Sequence, residues 1–95
     1  DNEQGVISFI RHGSNPGEMV ITVCNMTPVI RRGYRVGVPA AGCYREKINS
    51  DASIYGGSGV GNLGEVYADE VAVHGRDYSL NLTLPPLATL ILSFE

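Results

Sequence analysis

The chain has 95 residues, 43% of them hydrophobic and 18% charged, with seven Lys and Arg against ten Asp and Glu for a net charge of −3. That length suits one domain with one modest core, and the apolar share excludes a disordered tail. Scattered charges without a basic stripe exclude a nucleic-acid partner, and no run approaches the roughly 18 apolar residues of a membrane-spanning helix.

The first residues, Asp1-Asn2-Glu3-Gln4-Gly5, are polar and acidic, unlike a signal peptide, and no Met begins the chain. They read as residual linker before a single domain over residues 6–95, a piece of something longer. Val6 to Arg11 and Met19 to Cys24 flank the turn cluster Gly13-Ser14-Asn15-Pro16-Gly17, a β-hairpin signature. Both strands carry apolar residues on both faces, with Ile7 and Phe9 opposite Val6 and Ile10, so both faces are expected to be covered. Tyr34, Val36 and Val38 alternate with Arg35 and Gly37 as a half-buried strand. Tyr44 and Ile48 alternate with Arg45 and Lys47 in the next. Residues 65–73 contain helix formers, but Val66, Val71 and Val73 are β-branched and favour an extended chain.

The clearest alternation sets Tyr78, Leu80, Leu82 and Leu84 against Ser79, Asn81 and Thr83. Pro85-Pro86 ends it, since neither prolyl nitrogen can donate to a ladder. A last strand runs from Leu87 to Phe94. Seven or eight short strands at this spacing predict an all-β fold, an antiparallel β-sandwich with Greek-key-like connections.

Few groups suggest chemistry. Cys24 and Cys43 form no CxxC or Cys–His cluster and read as reduced, largely buried thiols of a cytosolic protein, with no disulfide framework and no metal site. Gly59-Val60-Gly61-Asn62-Leu63-Gly64 matches GxGxxG, but no strand precedes it and no amphipathic helix follows, so it reads as a surface loop, with no cofactor. Ser58 between glycines lacks the GxSxG nucleophile elbow. Asp69, Glu70 and His74, or Glu46 with Asp51, would need a cleft and a partner to act as acid and base; solvated carboxylates are the simpler reading. Asn25-Met26-Thr27 and Asn81-Leu82-Thr83 have the glycosylation spacing with nothing else to indicate secretion. Tyr44, Tyr55 and Tyr67 lie in or beside the loop over residues 49–64 and are candidate stacking faces for a sugar, against the alternative of structural tyrosines with wet hydroxyls. Arg31, Arg32 and Arg76 are candidates to clamp carboxylates or phosphates, or to form surface ion pairs.

Several ordered segments then carry a resemblance. They are Asn25-Met26-Thr27-Pro28-Val29, Tyr34-Arg35-Val36-Gly37-Val38-Pro39, Glu46-Lys47-Ile48-Asn49-Ser50-Asp51, Tyr55-Gly56-Gly57-Ser58-Gly59 with Gly61-Asn62, His74-Gly75-Arg76, Tyr78-Ser79-Leu80 and Leu82-Thr83-Leu84-Pro85-Pro86-Leu87. Over residues 6–95 the chain resembles the C-terminal domain of bacterial 1,4-α-glucan branching enzymes of the α-amylase superfamily. Where such domains often carry Trp before the Arg-Glu pair, this chain has Tyr44. The resemblance implies a cytoplasmic parent that transfers α-1,4-glucan segments to form α-1,6 branches in glycogen biosynthesis. The catalytic carboxylates would belong to a (β/α)₈ barrel, and none would reside here. It implies a non-catalytic domain that packs on and stabilises that barrel, its partner in the same parent chain. The alternative is an auxiliary module that holds α-glucan (glycogen) chains outside the catalytic cleft.

Overall fold

Residues 5–15, 17–50 and 64–94 are described by the computed structural model, and none of them is helical. They form seven strands: β1 (Val6–His12), β2 (Met19–Asn25), β3 (Arg31–Val38), β4 (Cys43–Asn49), β5 (Glu65–Tyr67), β6 (Tyr78–Leu84) and β7 (Ala88–Phe94). Five make one antiparallel sheet in the order β1-β2-β7-β4-β5, and β3 pairs with β6 in a second. The chain leaves the larger sheet at β3 and again at β6, returning each time, so β7 inserts between β2 and β4. These non-consecutive pairings give the sandwich its Greek-key character.

The expected hairpin is present. Gly17 takes φ 83 in its loop, a conformation that costs glycine little, and the Gly13 amide donates to the Glu18 carbonyl at 2.9 Å. The register of β1 on β2, Val6 opposite Asn25 and His12 opposite Met19, sends alternate residues to opposite faces. The inner face carries Val6, Met19, Ile21 and Val23, and β7 adds Leu90 and Leu92. Across the sandwich they meet Val36 and Val38 of β3 and Leu80, Leu82 and Leu84 of β6. Each fully buried Leu, Ile or Val contributes about 1.5–3 kcal/mol of transfer free energy, so the β6–β7 alternation supplies much of the core.

Four expectations change. In β4, Glu46 lies opposite Leu92 but Ile48 lies opposite Ile91, so Lys47 is an extra residue in a β-bulge. The bulge reverses the side-chain alternation, turning Ile48 outward and burying Asn49. Ser79, on the predicted polar face of β6, is fully buried because the Asp69 backbone bridges to it and Arg35 donates to its hydroxyl at 3.2 Å. The segment over residues 65–73 is strand only at Glu65–Tyr67 and then turns. Finally, β1 and β2 are covered on one face alone, with Ile7, Phe9 and Val20 left at the surface.

The two-stranded sheet is narrower than the five-stranded one. On the β5 side the gap is closed by the Asp69–Ser79 bridge and by an Arg35–Asp69 ion pair at 2.7 Å. On the β1 side nothing among the described residues closes it, and Ser8 and His12, although on the inner face, remain exposed.

Candidate docking face and inter-sheet cleft

One pole of the sandwich is organised by Asn25, the last residue of β2 and almost fully buried. Its amide Nδ2 donates to the carbonyls of Val29 at 2.9 Å and Pro85 at 3.0 Å, with a longer approach to Leu84 at 3.4 Å. Its Oδ1 accepts from the Thr27 amide at 3.1 Å and the Thr27 hydroxyl at 2.7 Å. An Asn followed two residues later by such a donor is an Asx turn, and here it ties the loop after β2 to the Pro85-Pro86 corner between the sheets. The side chain is committed to these bonds, so the glycosylation spacing at Asn25 has no free amide to modify. Its role was legible only as a turn signal, Asn-x-Thr-Pro at the end of a strand.

Leu87, at the same corner, sits at φ 51 with its amide bonded to the Thr27 carbonyl at 2.9 Å. A left-handed conformation costs a residue with a Cβ about 1–2 kcal/mol. Its side chain is 70% exposed, so local packing does not repay that strain. Beside it Met26 and Val29 are exposed, and a cleft of about 220 Å³ opens between Cys24, Met26, Leu87 and Thr89. Sequence reasoning took Leu87 only as the start of a strand; nothing local announces its φ.

The outer face of the large sheet continues this surface. Registers place Ile7, Cys24 and Thr89 in one row across β1, β2 and β7, and Phe9, Thr22, Ile91 and Ile48 in the next. Ile7, Phe9 and Ile48 are exposed and Ile91 is half-buried. The third row, Arg11, Val20, Ser93, Arg45 and Glu65, is mostly polar and bounds the patch.

The tyrosines do not assemble as a platform among the described residues. Tyr44 is fully buried, its ring 5.0 Å from Phe94 at 55° and its hydroxyl donating to the Ala40 carbonyl at 2.7 Å. No face of it is open to a sugar, which corrects the stacking reading at this position; burial also pushes its phenol above the ordinary range. Tyr67 is exposed, opposite Cys43 at the sheet edge. The Glu65 carboxylate beside it raises its pKa. Tyr55 lies outside the described residues, as do Asp51, Ser58 and the GxGxxG loop up to Gly64.

The candidate acid–base groups are dispersed. Asp69 is held by Arg35, Glu70 is exposed, and no cluster able to hold a metal occurs among the described residues. Both cysteines are free and half-buried rather than largely buried. The Cys43 thiol donates to Glu65 Oε2 at 3.1 Å, and this bond above all pushes its pKa up, away from a reactive thiolate.

A second cleft, about 290 Å³, occupies the open side between the sheets. Its floor is Ile10, Ile21 and Val36, and its rim includes His12, His74 and Arg76.

The family model described as alpha amylase, C-terminal all-beta domain, matches residues 1–95. The chain is 60% identical over 92 residues to the 1,4-alpha-glucan branching enzyme GlgB of Rubrobacter xylanophilus, covering 97% of this chain and 13% of that protein. The GlgB of Burkholderia thailandensis is 56% identical over 93 residues, covering 98% and 11% of the two chains. The GlgB of Aquifex aeolicus is 53% identical over 95 residues, covering 100% and 15%. The chain thus spans between 11% and 15% of the length of these relatives.

Proposed function

This chain belongs to the alpha amylase C-terminal all-beta domain family, and on that premise we propose that it is the non-catalytic C-terminal domain of a 1,4-α-glucan branching enzyme, packing on and stabilising the catalytic barrel. The parent is a cytoplasmic bacterial glycosyltransferase that makes α-1,6 branches in glycogen, and its chemistry lies in the barrel. One observation carries the docking role: the continuous apolar surface from Leu87 and Met26 across the Ile7 and Phe9 rows. Exposed apolar patches of this kind mark interaction sites. The chain enters at this same pole, where the Gly5 carbonyl accepts from the Met26 amide at 2.9 Å. A barrel preceding residue 5 therefore reaches this surface without a long linker. Leu87 is the anchor, an apolar side chain that its backbone holds outward at a cost.

The test is Leu87→Asn, made both in the 95-residue chain and in the full-length parent. Asn tolerates φ 51, so the isolated chain should keep or gain stability, by up to about 1 kcal/mol. The parent should lose about 1.5–3 kcal/mol of buried contact and melt several degrees lower. An unchanged parent melting temperature sinks the docking role. The second reading, a module that holds glucan, rests on the open ring of Tyr67. It requires retardation of the chain in a glycogen-containing native gel, lost on Tyr67→Ala; equal migration in gels with and without glycogen refutes it.

A further inference from the structure

The inter-sheet cleft joins features that the docking role leaves unused. Its wall is the inner face of β1 from Ser8 to His12, which the narrow second sheet leaves open. Its opposite rim is the tight turn Val73–Arg76, closed by reciprocal backbone hydrogen bonds of 3.0 Å between Val73 and Arg76. His74 at φ 55 and Gly75 at φ 78 are its central residues, the signature of a type I′ turn. The turn lies directly on Gly37 of β3, where a Cβ would come within 2.5 Å of the Val73 carbonyl oxygen. His74 and Arg76 are thereby carried on a short, backbone-locked loop against a rigid strand.

The chemistry of the lining is one-sided. His12, His74 and Arg76 supply hydrogen-bond donors and one permanent positive charge, Ser8 adds a hydroxyl, and no carboxylate is among the lining residues. This is a cationic pocket on a chain whose net charge is −3. Arg35 is committed to Asp69, and Arg45 lies 3.9 Å from Glu65. No side-chain hydrogen bond or ion pair engages Arg76, His12 or His74 among the described residues. A guanidinium fork beside imidazole N–H groups matches phosphate oxygens, and charge-assisted bonds of this type are the strong ones. The apolar floor of Ile10, Ile21 and Val36 suits the carbon face of a small ring. About 290 Å³ is close to the lower limit of small-molecule pockets, near 300 Å³.

We propose that the inter-sheet cleft is a binding site for a small phosphate-bearing ligand, its phosphoryl group held by Arg76 with His74 and His12 and its body resting on the β1–β3 floor. The site is independent of the docking pole and does not rest on the assignment of the parent.

The experiment is a nitrogen-15 amide titration of the 95-residue chain at constant ionic strength with inorganic phosphate, a hexose phosphate and the neutral hexose. Both anions should give saturable shifts confined to residues 8–12, 36–37 and 74–76, with inorganic phosphate half-saturating in roughly the millimolar range. Tighter binding of the hexose phosphate identifies a phosphate ester as the ligand, and equal binding identifies free phosphate. Arg76→Gln should weaken binding at least tenfold. His74→Asn, which preserves the left-handed turn, should weaken it several-fold, whereas Lys47→Gln in the exposed bulge of β4, outside the cleft, should leave it unchanged. If Arg76→Gln loses its dispersed spectrum, Arg76→Lys, which keeps the charge without the fork, must show the weakening instead. No saturable shift up to roughly 20 mM phosphate, equal shifts in the Arg76 variants, or the same shifts with neutral hexose overturns the proposal.

Discussion

Replacing Asn25 by Ala tests the polar knot that fixes the Pro85-Pro86 corner. The side chain makes four good hydrogen bonds, to Val29, Pro85 and twice to Thr27, within a nearly fully buried position. Each is worth about 1 kcal/mol net, and a buried carbonyl or amide left without a partner costs about 1–3 kcal/mol. The Thr27 hydroxyl recovers part of its loss through the Val29 carbonyl, already 3.4 Å away. The Pro85 carbonyl, deep in the corner, has no such substitute among the described residues. The expected loss is therefore about 3–4 kcal/mol, against roughly 5–14 kcal/mol for a domain of this size. In urea, with m near 1.5 kcal/mol/M, the midpoint should fall by about 2 M at unchanged m. Asn25→Asp sharpens the reasoning, because it keeps the acceptor oxygen and turns the two donor positions into acceptors facing carbonyls. Its carboxyl is then more easily protonated in the folded state than in the unfolded chain. Such a raised pKa makes the folded state bind more protons, so stability falls as pH rises from the unfolded value near 4. The Asp variant should be less damaged at pH 4 than at pH 7. An Ala variant within 1 kcal/mol of the parent sequence would refute the knot as a structural determinant, as would an Asp variant indifferent to pH.

Two further substitutions probe other elements. Gly37→Ala places a Cβ 2.5 Å from the Val73 carbonyl oxygen, which must move; a loss of about 1–3 kcal/mol is expected in urea, with amide shifts spreading through residues 73–76. Cys43, with its thiol proton shared with Glu65, should react with iodoacetamide more slowly than an unstructured cysteine at pH 8 in a Cys24→Ala background. Glu65→Gln should speed that reaction, since it removes the negative charge that strengthens the bond to the thiol and raises its pKa; an unchanged rate rules this cause out.

The strands were legible where period-2 patterning and turn residues agree. Tyr78–Leu84, Ala88–Phe94 and the hairpin of β1 and β2 lie where alternation, Pro85-Pro86 and the Gly13–Gly17 cluster place them. Ile48 was misplaced because a bulge inserts one residue, and the alternation of Arg45, Lys47 and Ile48 carries no mark of it. Ser79 was misplaced because a small hydroxyl is buried only when a partner arrives from elsewhere, here Arg35 and the backbone of Asp69. Between a sugar-stacking face and a structural tyrosine, Tyr44 is the second, because Phe94, fifty residues later, packs on it and its ring is buried.

The sequence by itself determined the class of the fold, through composition and periodicity, and the family, through ordered segments such as Asn25–Val29 and Leu82–Leu87. Tertiary structure alone decided which apolar residues are core and which are surface, because a strand with two apolar faces does not say which face a second sheet will cover. The narrow β3–β6 sheet covers one face only. Ile7 and Phe9 lie on the other face and stay outside, whereas the mismatch of widths opens the cleft below β1, where His12 shares a pocket with His74 and Arg76.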